Sequence, residues 1–148
     1  MIVRMMEVDD VPVICEIEKS LYKIPWNEQQ FLYELKENEF SYLFVLEHDS
    51  TIIGYYGFWV MFENCDITKV SIRKEFQGMK LSNLLMNDCF ERVKALGCEK
   101  INLEVRTDNI VAINLYRKHL FKDVIVRKNY YGKGEDALIL CKDMGGVK

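Results

Sequence analysis

The sequence predicts an α/β fold, a mixed sheet with helices on both faces, and three stretches carry that prediction. Residues 66–96, DITKVSIRKEFQGMKLSNLLMNDCFERVKAL, change period part-way. Ile67, Lys69 and Ser71 alternate with Thr68, Val70 and Ile72, after which Leu81, Leu84, Leu85, Asp88, Cys89, Val93 and Leu96 recur at spacings of three and four. That is a strand leading through a short turn into a helix closed by Gly97. KINLEVR at Lys100–Arg106 then alternates cleanly, with Ile101, Leu103 and Val105 on one face and Asn102, Glu104 and Arg106 on the other. A helical crossover of this length returns to a parallel neighbour, which puts this strand beside 66–72. Finally, runs at 42–47 and 51–62 are joined by His48-Asp49-Ser50, a short polar link suited to a hairpin.

The remaining elements follow in order. Residues 2–7 form a short strand, and Asp9 or Asp10 caps a helix that tolerates Pro12 in its first turn and carries Val11, Ile14, Cys15, Ile17 and Leu21. A second helix begins near residue 28, where Asn27 with Gln30 has the form of a capping box and Trp26 with Phe31 that of a hydrophobic staple. The loop Tyr22-Lys23-Ile24-Pro25-Trp26 between them is aromatic and expected to be partly exposed. TIIGYYGFWVMF at 51–62 is almost continuously apolar, as a strand covered on both faces should be, and its Gly54 and Gly57 mark a bulge or a close approach. After Arg106, Thr107 or Asp108 caps a helix over 109–119 bearing Ile110, Ile113, Leu115 and Tyr116. Strands at 122–130 and 136–142 flank a loop at 131–135 with glycines at 132 and 134. Neither a repeat nor a linker interrupts this order, so residues 1–148 are expected to form one domain.

Composition narrows the function. With 49% of residues hydrophobic, the chain can bury a sizeable core, roughly 68–70% of its unfolded surface. A net charge of −3 supplies no global basic field and argues against nucleic acid as the main partner, so an anionic ligand must be met locally. The first residues lack the pattern of a signal peptide, and no apolar run approaches the roughly 18–20 residues of a membrane helix, so a cytoplasmic protein with no membrane partner is expected. Five scattered cysteines without a C-x-x-C pair read as small buried hydrophobes, and His48 and His119 as structural histidines.

Two features point to chemistry. Gln77-Gly78-Met79-Lys80-Leu81-Ser82 sets several backbone N–H groups at a helix N-terminus, a candidate cradle for a pyrophosphate. Glu104 lies on the strand next to that cradle and Tyr116 about two turns into the next helix. A carboxylate and a phenol on opposite sides of a reacting centre suit proton removal from a nucleophile and proton delivery to a leaving group. From spacing alone, the ordinary reading of each is a solvated or ion-paired glutamate and a core tyrosine. Tyr130-Tyr131 reads as strand-end packing and Trp26 as the staple.

The ordered set resembles the GCN5-related N-acetyltransferase (GNAT) superfamily, and within it the ribosomal-protein alanine N-acetyltransferases. The resemblance spans nearly the whole chain: Glu18 with Pro25-Trp26; Val70-Ser71-Ile72; Gln77 to Ser82; Leu103-Glu104-Val105-Arg106; Asp108-Asn109 with Ala112, Leu115 and Tyr116; and Tyr130-Tyr131 followed by Gly134-Glu135-Asp136-Ala137. It implies a mostly antiparallel sheet with a parallel pair split to admit acetyl-coenzyme A. The pantetheine would pair with backbone of Val70, Ser71 and Ile72, the pyrophosphate would rest on amides of Gln77, Gly78, Met79, Lys80, Leu81 and Ser82, and Asn109 would touch the cofactor's arm. Glu104 is then the general base, Tyr116 the general acid, and Trp26, Tyr130 and Tyr131 line the slot for a peptide N-terminus.

The resemblance implies direct acetyl transfer to a protein's α-amine, the alanine terminus of a ribosomal protein, without a metal. Acetylation of a lysine or small amine, or acyl-coenzyme A binding without catalysis, are the alternatives. An α-amine suits a single carboxylate base, because a lysine costs roughly 3.5 kcal/mol more to present as a neutral nucleophile at pH 7. The usual pattern at the turn is Gln/Arg-x-x-Gly-x-Gly/Ala, whereas here the fourth and sixth positions are Lys80 and Ser82, and Leu120 stands where glycine usually precedes Phe121. Altered cofactor affinity, more than loss of binding, is the expected result.

Overall fold

A computed structural model describes residues 1–145. The chain runs β1 (Ile2–Met5), α1 (Val11–Leu21), α2 (Glu28–Lys36), β2 (Ser41–His48), β3 (Thr51–Met61), β4 (Asn64–Ile72), α3 (Leu81–Ala95), β5 (Lys100–Arg106), α4 (Ile110–Lys118), β6 (Lys122–Gly132) and β7 (Glu135–Asp143). Seven strands form one sheet in the order β1-β2-β3-β4-β5-β7-β6. Every neighbouring pair is antiparallel except β4 and β5.

Alternation along β2 builds a core on each face. Leu43 and Val45 join Ile14, Ile17 and Phe31 of α1 and α2, while Phe44 and Leu46 join Leu85, Met86, Cys89 and Ile113 of α3 and α4. Buried Tyr55 and Tyr56 of β3 divide between the two cores, as expected of a strand covered on both sides. Asn27 and Gln30 exchange the two hydrogen bonds of a capping box, each at 2.8 Å, and the Trp26 and Phe31 rings meet at 5.1 Å. Asp49 and Ser50 join β2 to β3 with φ of 51° and 65°, the positive pair of a tight hairpin turn.

Helix α3 stops where Gly97, at φ 82°, turns the chain back. Its N–H reaches the Lys94 carbonyl at 3.0 Å, and that of Cys98 reaches Val93 at 3.2 Å, satisfying carbonyls the helix leaves open. Helix α4 ends the same way, but with Leu120 at φ 72° in the glycine position. Leu120 N–H bonds Arg117 at 2.9 Å, Phe121 N–H bonds Tyr116 at 3.0 Å, and the Phe121 ring packs against Tyr116 at 5.7 Å.

The structure corrects four expectations. Residues 64–72, not 66–72, form the strand, and it pairs with β5 only at Asn64–Lys100, Cys65–Ile101 and Asp66–Asn102. Beyond Asp66 the two strands part, because Thr68 is an extra residue opposite the Gly57/Phe58 step and such a bulge bends its strand. The first strand ends at Met5, since the Asp10 carboxylate draws in the Glu7 N–H at 2.7 Å and starts a short 3-10 turn. Asn109, rather than Thr107 or Asp108, caps α4, its Oδ1 accepting the Ala112 N–H at 3.2 Å. Finally, the loop expected over 131–135 is only a turn at Lys133 and Gly134: β6 and β7 meet at Gly132–Glu135, and Tyr131 belongs to β6 along with Tyr130.

Candidate active site

Where β4 and β5 part, they leave an opening between parallel strands. Three adjoining hollows follow it. One of about 600 Å³ lies between the residue 77–82 turn, Ser71, Ile72 and α4. The next, about 510 Å³, lies in the split itself. The third, about 460 Å³, lies beyond it against Trp26, Trp59, Tyr130 and Tyr131. Tyr22, Val70, Asn109 and Tyr116 border both of the first two, and Thr68, Leu103, Glu104 and Tyr131 border the second and third, so the three make one trough.

Glu104 stands on β5 between the last two hollows, and Tyr116 on α4 between the first two. The Tyr130 hydroxyl donates to Glu104 Oε2 at 2.7 Å, and that bond raises the Tyr130 pKa. Tyr131 is pushed up to about 12, first by burial and then by the Glu104 charge. Burial also raises Tyr116, leaving its phenol protonated at any ordinary pH. These tyrosines therefore stay protonated, and their hydroxyls are available as hydrogen-bond and proton donors.

Tyr130 and Tyr131 reach the cleft through a large bulge. Arg127 pairs with Ala137 and Gly132 with Glu135, so residues 128–131 of β6 oppose Asp136 alone. The bulge is held from within: Asp136 Oδ1 accepts the Asn129 N–H at 2.9 Å, and Asn129 Oδ1 accepts the Gly134 N–H at 2.7 Å. Arg106 bonds Glu135 at 2.7 Å and lies 5.5 Å from the Tyr131 ring centroid.

At the other end, Lys80 caps α3 at φ 62°, and Lys80, Leu81 and Ser82 supply the N–H groups of the helix's first turn. The Asn83 N–H already bonds the Lys80 carbonyl at 3.2 Å. Gln77 is engaged internally, its N–H to Lys74 at 3.2 Å and its side-chain amide to the Ile72 carbonyl at 2.9 Å, so it braces the end of β4. Gly78 borders the hollow, whereas exposed Met79 is not among its lining residues. Asn109 borders the trough while its Oδ1 serves the helix cap.

The resemblance marked Glu18 beside Pro25-Trp26 but gave it no role and no partner. Glu18 is fully buried and accepts from Lys69 Nζ at 2.7 Å, from the Trp26 N–H at 2.9 Å and from the Tyr55 hydroxyl. Burial lowers the Lys69 pKa, with the Glu18 hydrogen bond opposing. Tyr22 shares a hydrogen bond of 2.5 Å with Ser71, and Trp59 N–H donates to Glu34 at 2.5 Å. The available signal was Glu18, a charge within the Ile14, Ile17 and Leu21 stripe; Lys69, alternating with Thr68 and Val70, offered none.

A sheet opened between two parallel strands, with a helix N-terminus at one end of the opening and a carboxylate and a phenol along it, is the architecture of an N-acyltransferase. The chain belongs to the acetyltransferase (GNAT) family, whose model matches residues 11–121. It is thus an N-acetyltransferase of GNAT type. A Bacillus subtilis (strain 168) protein provisionally named ribosomal protein bS18-alanine N-acetyltransferase is 37% identical over 139 residues, 93% of this chain and 92% of the relative. An N-alpha-acetyltransferase of Sulfurisphaera tokodaii is 28% identical over 152 residues, covering 94% and 90%. Among solved structures, the Escherichia coli ribosomal-protein-S18-alanine N-acetyltransferase superposes with a TM-score of 0.90 at 23% identity, covering 99% and 96%. A spermidine N-acetyltransferase variant from Vibrio cholerae reaches 0.84 at 18% identity, covering 97% and 94%, so this fold is shared by enzymes named for different acceptors.

Proposed function

We propose that the protein transfers the acetyl group of acetyl-coenzyme A to the N-terminal α-amine of a protein, with the alanine terminus of a ribosomal protein as acceptor. One observation carries the reading: Glu104 and Tyr116 border the same hollow at the split of β4 and β5, and Glu104 also borders the aromatic hollow beyond it. The names of relatives that match along nearly their whole length support the acceptor.

The residues present fit acetyl-coenzyme A. The two hollows on the Tyr116 side, about 600 and 510 Å³, have the size of a small-molecule site. The N–H groups of Lys80, Leu81 and Ser82 suit a pyrophosphate, with the Lys80 side chain adding positive charge. Backbone of Val70, Ser71 and Ile72 on the parted strand is available to the pantetheine arm, with Asn109 facing it. Bound there, acetyl-coenzyme A supplies the acetyl group as a thioester.

Each side chain then has one task. Trp26, Tyr130 and Tyr131 wall the slot for the acceptor's first residues. Glu104, held by Tyr130, takes a proton from the acceptor amine, directly or through a water, as nitrogen bonds the acyl carbon. Tyr116 gives its proton to the sulfur as the C–S bond breaks. An α-amine, with a pKa of about 8, is mostly protonated at about pH 7 but far closer to neutrality than a lysine, so a single carboxylate base can suffice.

Glu104→Gln and Tyr116→Phe are each expected to lower kcat by about 10²-fold or more while leaving acetyl-coenzyme A binding in calorimetry near the wild-type value. Unchanged turnover in both variants contradicts the assigned roles.

A further inference from the structure

Lys69 takes no part in the proton transfers above, yet it borders the same hollow as Glu104 and Tyr116. Its ion pair with Glu18 is deeply enclosed, the side chains being 9% and 0% exposed. Such a pair is a weak source of stability, since apolar residues of similar volume do as well. Its placement is more informative. Lys69 Nζ lies 4.4 Å from the Trp26 ring centroid and 4.8 Å from that of Tyr22. The Glu18 oxygen that holds Nζ also accepts the Trp26 N–H. Trp26 borders the hollow beyond the split, whereas Tyr22 borders the two hollows on the Tyr116 side. The ammonium is therefore fixed where the two halves of the trough meet, with one aromatic ring from each beside it.

We propose that Lys69, held by Glu18, is a positioning residue for the acceptor: its ammonium fixes the Trp26 ring so that the incoming N-terminus meets a preformed wall. The inference rests on the acceptor slot described above. A cation near an aromatic face attracts it without a fixed hydrogen-bond direction, and burial strengthens the attraction. Without the charge, the Trp26 ring must be ordered by the acceptor itself, and that ordering is lost from its binding. The effect falls on acceptor KM, because Glu104 and Tyr116 are held by other contacts.

Two variants separate the cation from mere neutralisation of Glu18. Lys69→Met alone leaves a buried carboxylate without its countercharge. Glu18→Gln combined with Lys69→Met removes both charges, keeps one amide oxygen to accept the Trp26 N–H, and turns the amide NH2 toward the Tyr55 hydroxyl, which can accept from it. With acetyl-coenzyme A and an alanine-first peptide, the double variant is expected to raise peptide KM about tenfold while kcat stays within about threefold of wild type. Lys69→Arg is expected to keep peptide KM near wild type. A folded double variant with wild-type peptide KM overturns the proposal. Failure of the wild type to acetylate the peptide would instead sink the acceptor reading. The anchoring is then read without turnover in Trp59→Phe protein, where Trp26 is the remaining tryptophan of two. Acrylamide quenching of Trp26 is expected to rise when Glu18→Gln and Lys69→Met are added together, and unchanged quenching overturns the anchoring.

Discussion

Lys80 and Leu120 both stand at positions where the family pattern described above has glycine, and both have positive φ, 62° and 72°. Glycine adopts that backbone conformation more easily than either residue. Leu120 gains little in return, since its side chain is 72% exposed. Leu120→Gly is therefore expected to stabilise the protein by about 1 kcal/mol, read from the denaturant midpoint at constant m-value. A lower midpoint would mean that the leucine side chain has a role its exposure does not suggest. The same turn sets Phe121 against Tyr116, so this residue lies beside the proposed acid. At this scale the sequence was partly legible. Glu104 and Tyr116 stood out through the resemblance, because spacing alone also fits a solvated glutamate and a core tyrosine. Lys69 and Glu18 were not paired in advance, since they lie 51 positions apart and meet only when α1 packs on β4.

Among the elements, β4 matters most, because its bend opens the cleft. Gly57 permits the bulge: a Cβ there would run into the Leu43 side chain and come within 3.1 Å of Thr68 Oγ1. Gly54 lies nearer the cofactor end, where a Cβ would sit 2.9 Å from the Ser71 carbonyl oxygen. Gly54→Ala should push β4 away from β3 at Ser71 and Ile72. The expected cost is about 1–3 kcal/mol of stability in denaturant unfolding, together with weaker coenzyme A binding in calorimetry. Wild-type affinity and stability would show that Ser71 is free to move. The sequence marked both glycines as sites of a bulge or close approach, and the periodicity located the seven strands and four α-helices of the described residues but not the short 3-10 turns at Val8–Asp10 and Lys74–Phe76. It could not place the end of β4–β5 pairing, which depends on register against β3. Nor could it show that Tyr130 and Tyr131 sit on a bulged strand, because that bulge is closed by Asn129 and Asp136 side chains acting across the hairpin.

Considered whole, the molecule has two cores on opposite faces of one sheet, and the proposed reaction crosses the sheet through its single parallel pair. The separation gives the pH dependence its expected shape. The acceptor amine reaches Glu104 from one side and must lose a proton, so kcat/KM should rise with pH and level off above about 8. Tyr116 works from the other side, and burial raises its pKa above the ordinary tyrosine value. Its protonated, donating form therefore outlasts the rise, and no falling limb from Tyr116 should appear below about pH 10. A decline between about 8 and 10 that Tyr116→Phe abolishes would contradict this assignment. Among the described residues no helix is long and apolar enough to cross a membrane. The fold class and the mixed sheet were legible from periodicity; the acceptor is not, because enzymes named for different amines share the fold.

Transfer to a protein α-amine is open to mass spectrometry of two peptides incubated with the protein and acetyl-coenzyme A. One begins with a free alanine and also carries a lysine; the other is identical but blocked at its N-terminus. The account predicts a single acetyl group on the alanine α-amine of the first peptide and no change in the second. Acetylation of the lysine in both, with the alanine terminus untouched, would contradict it.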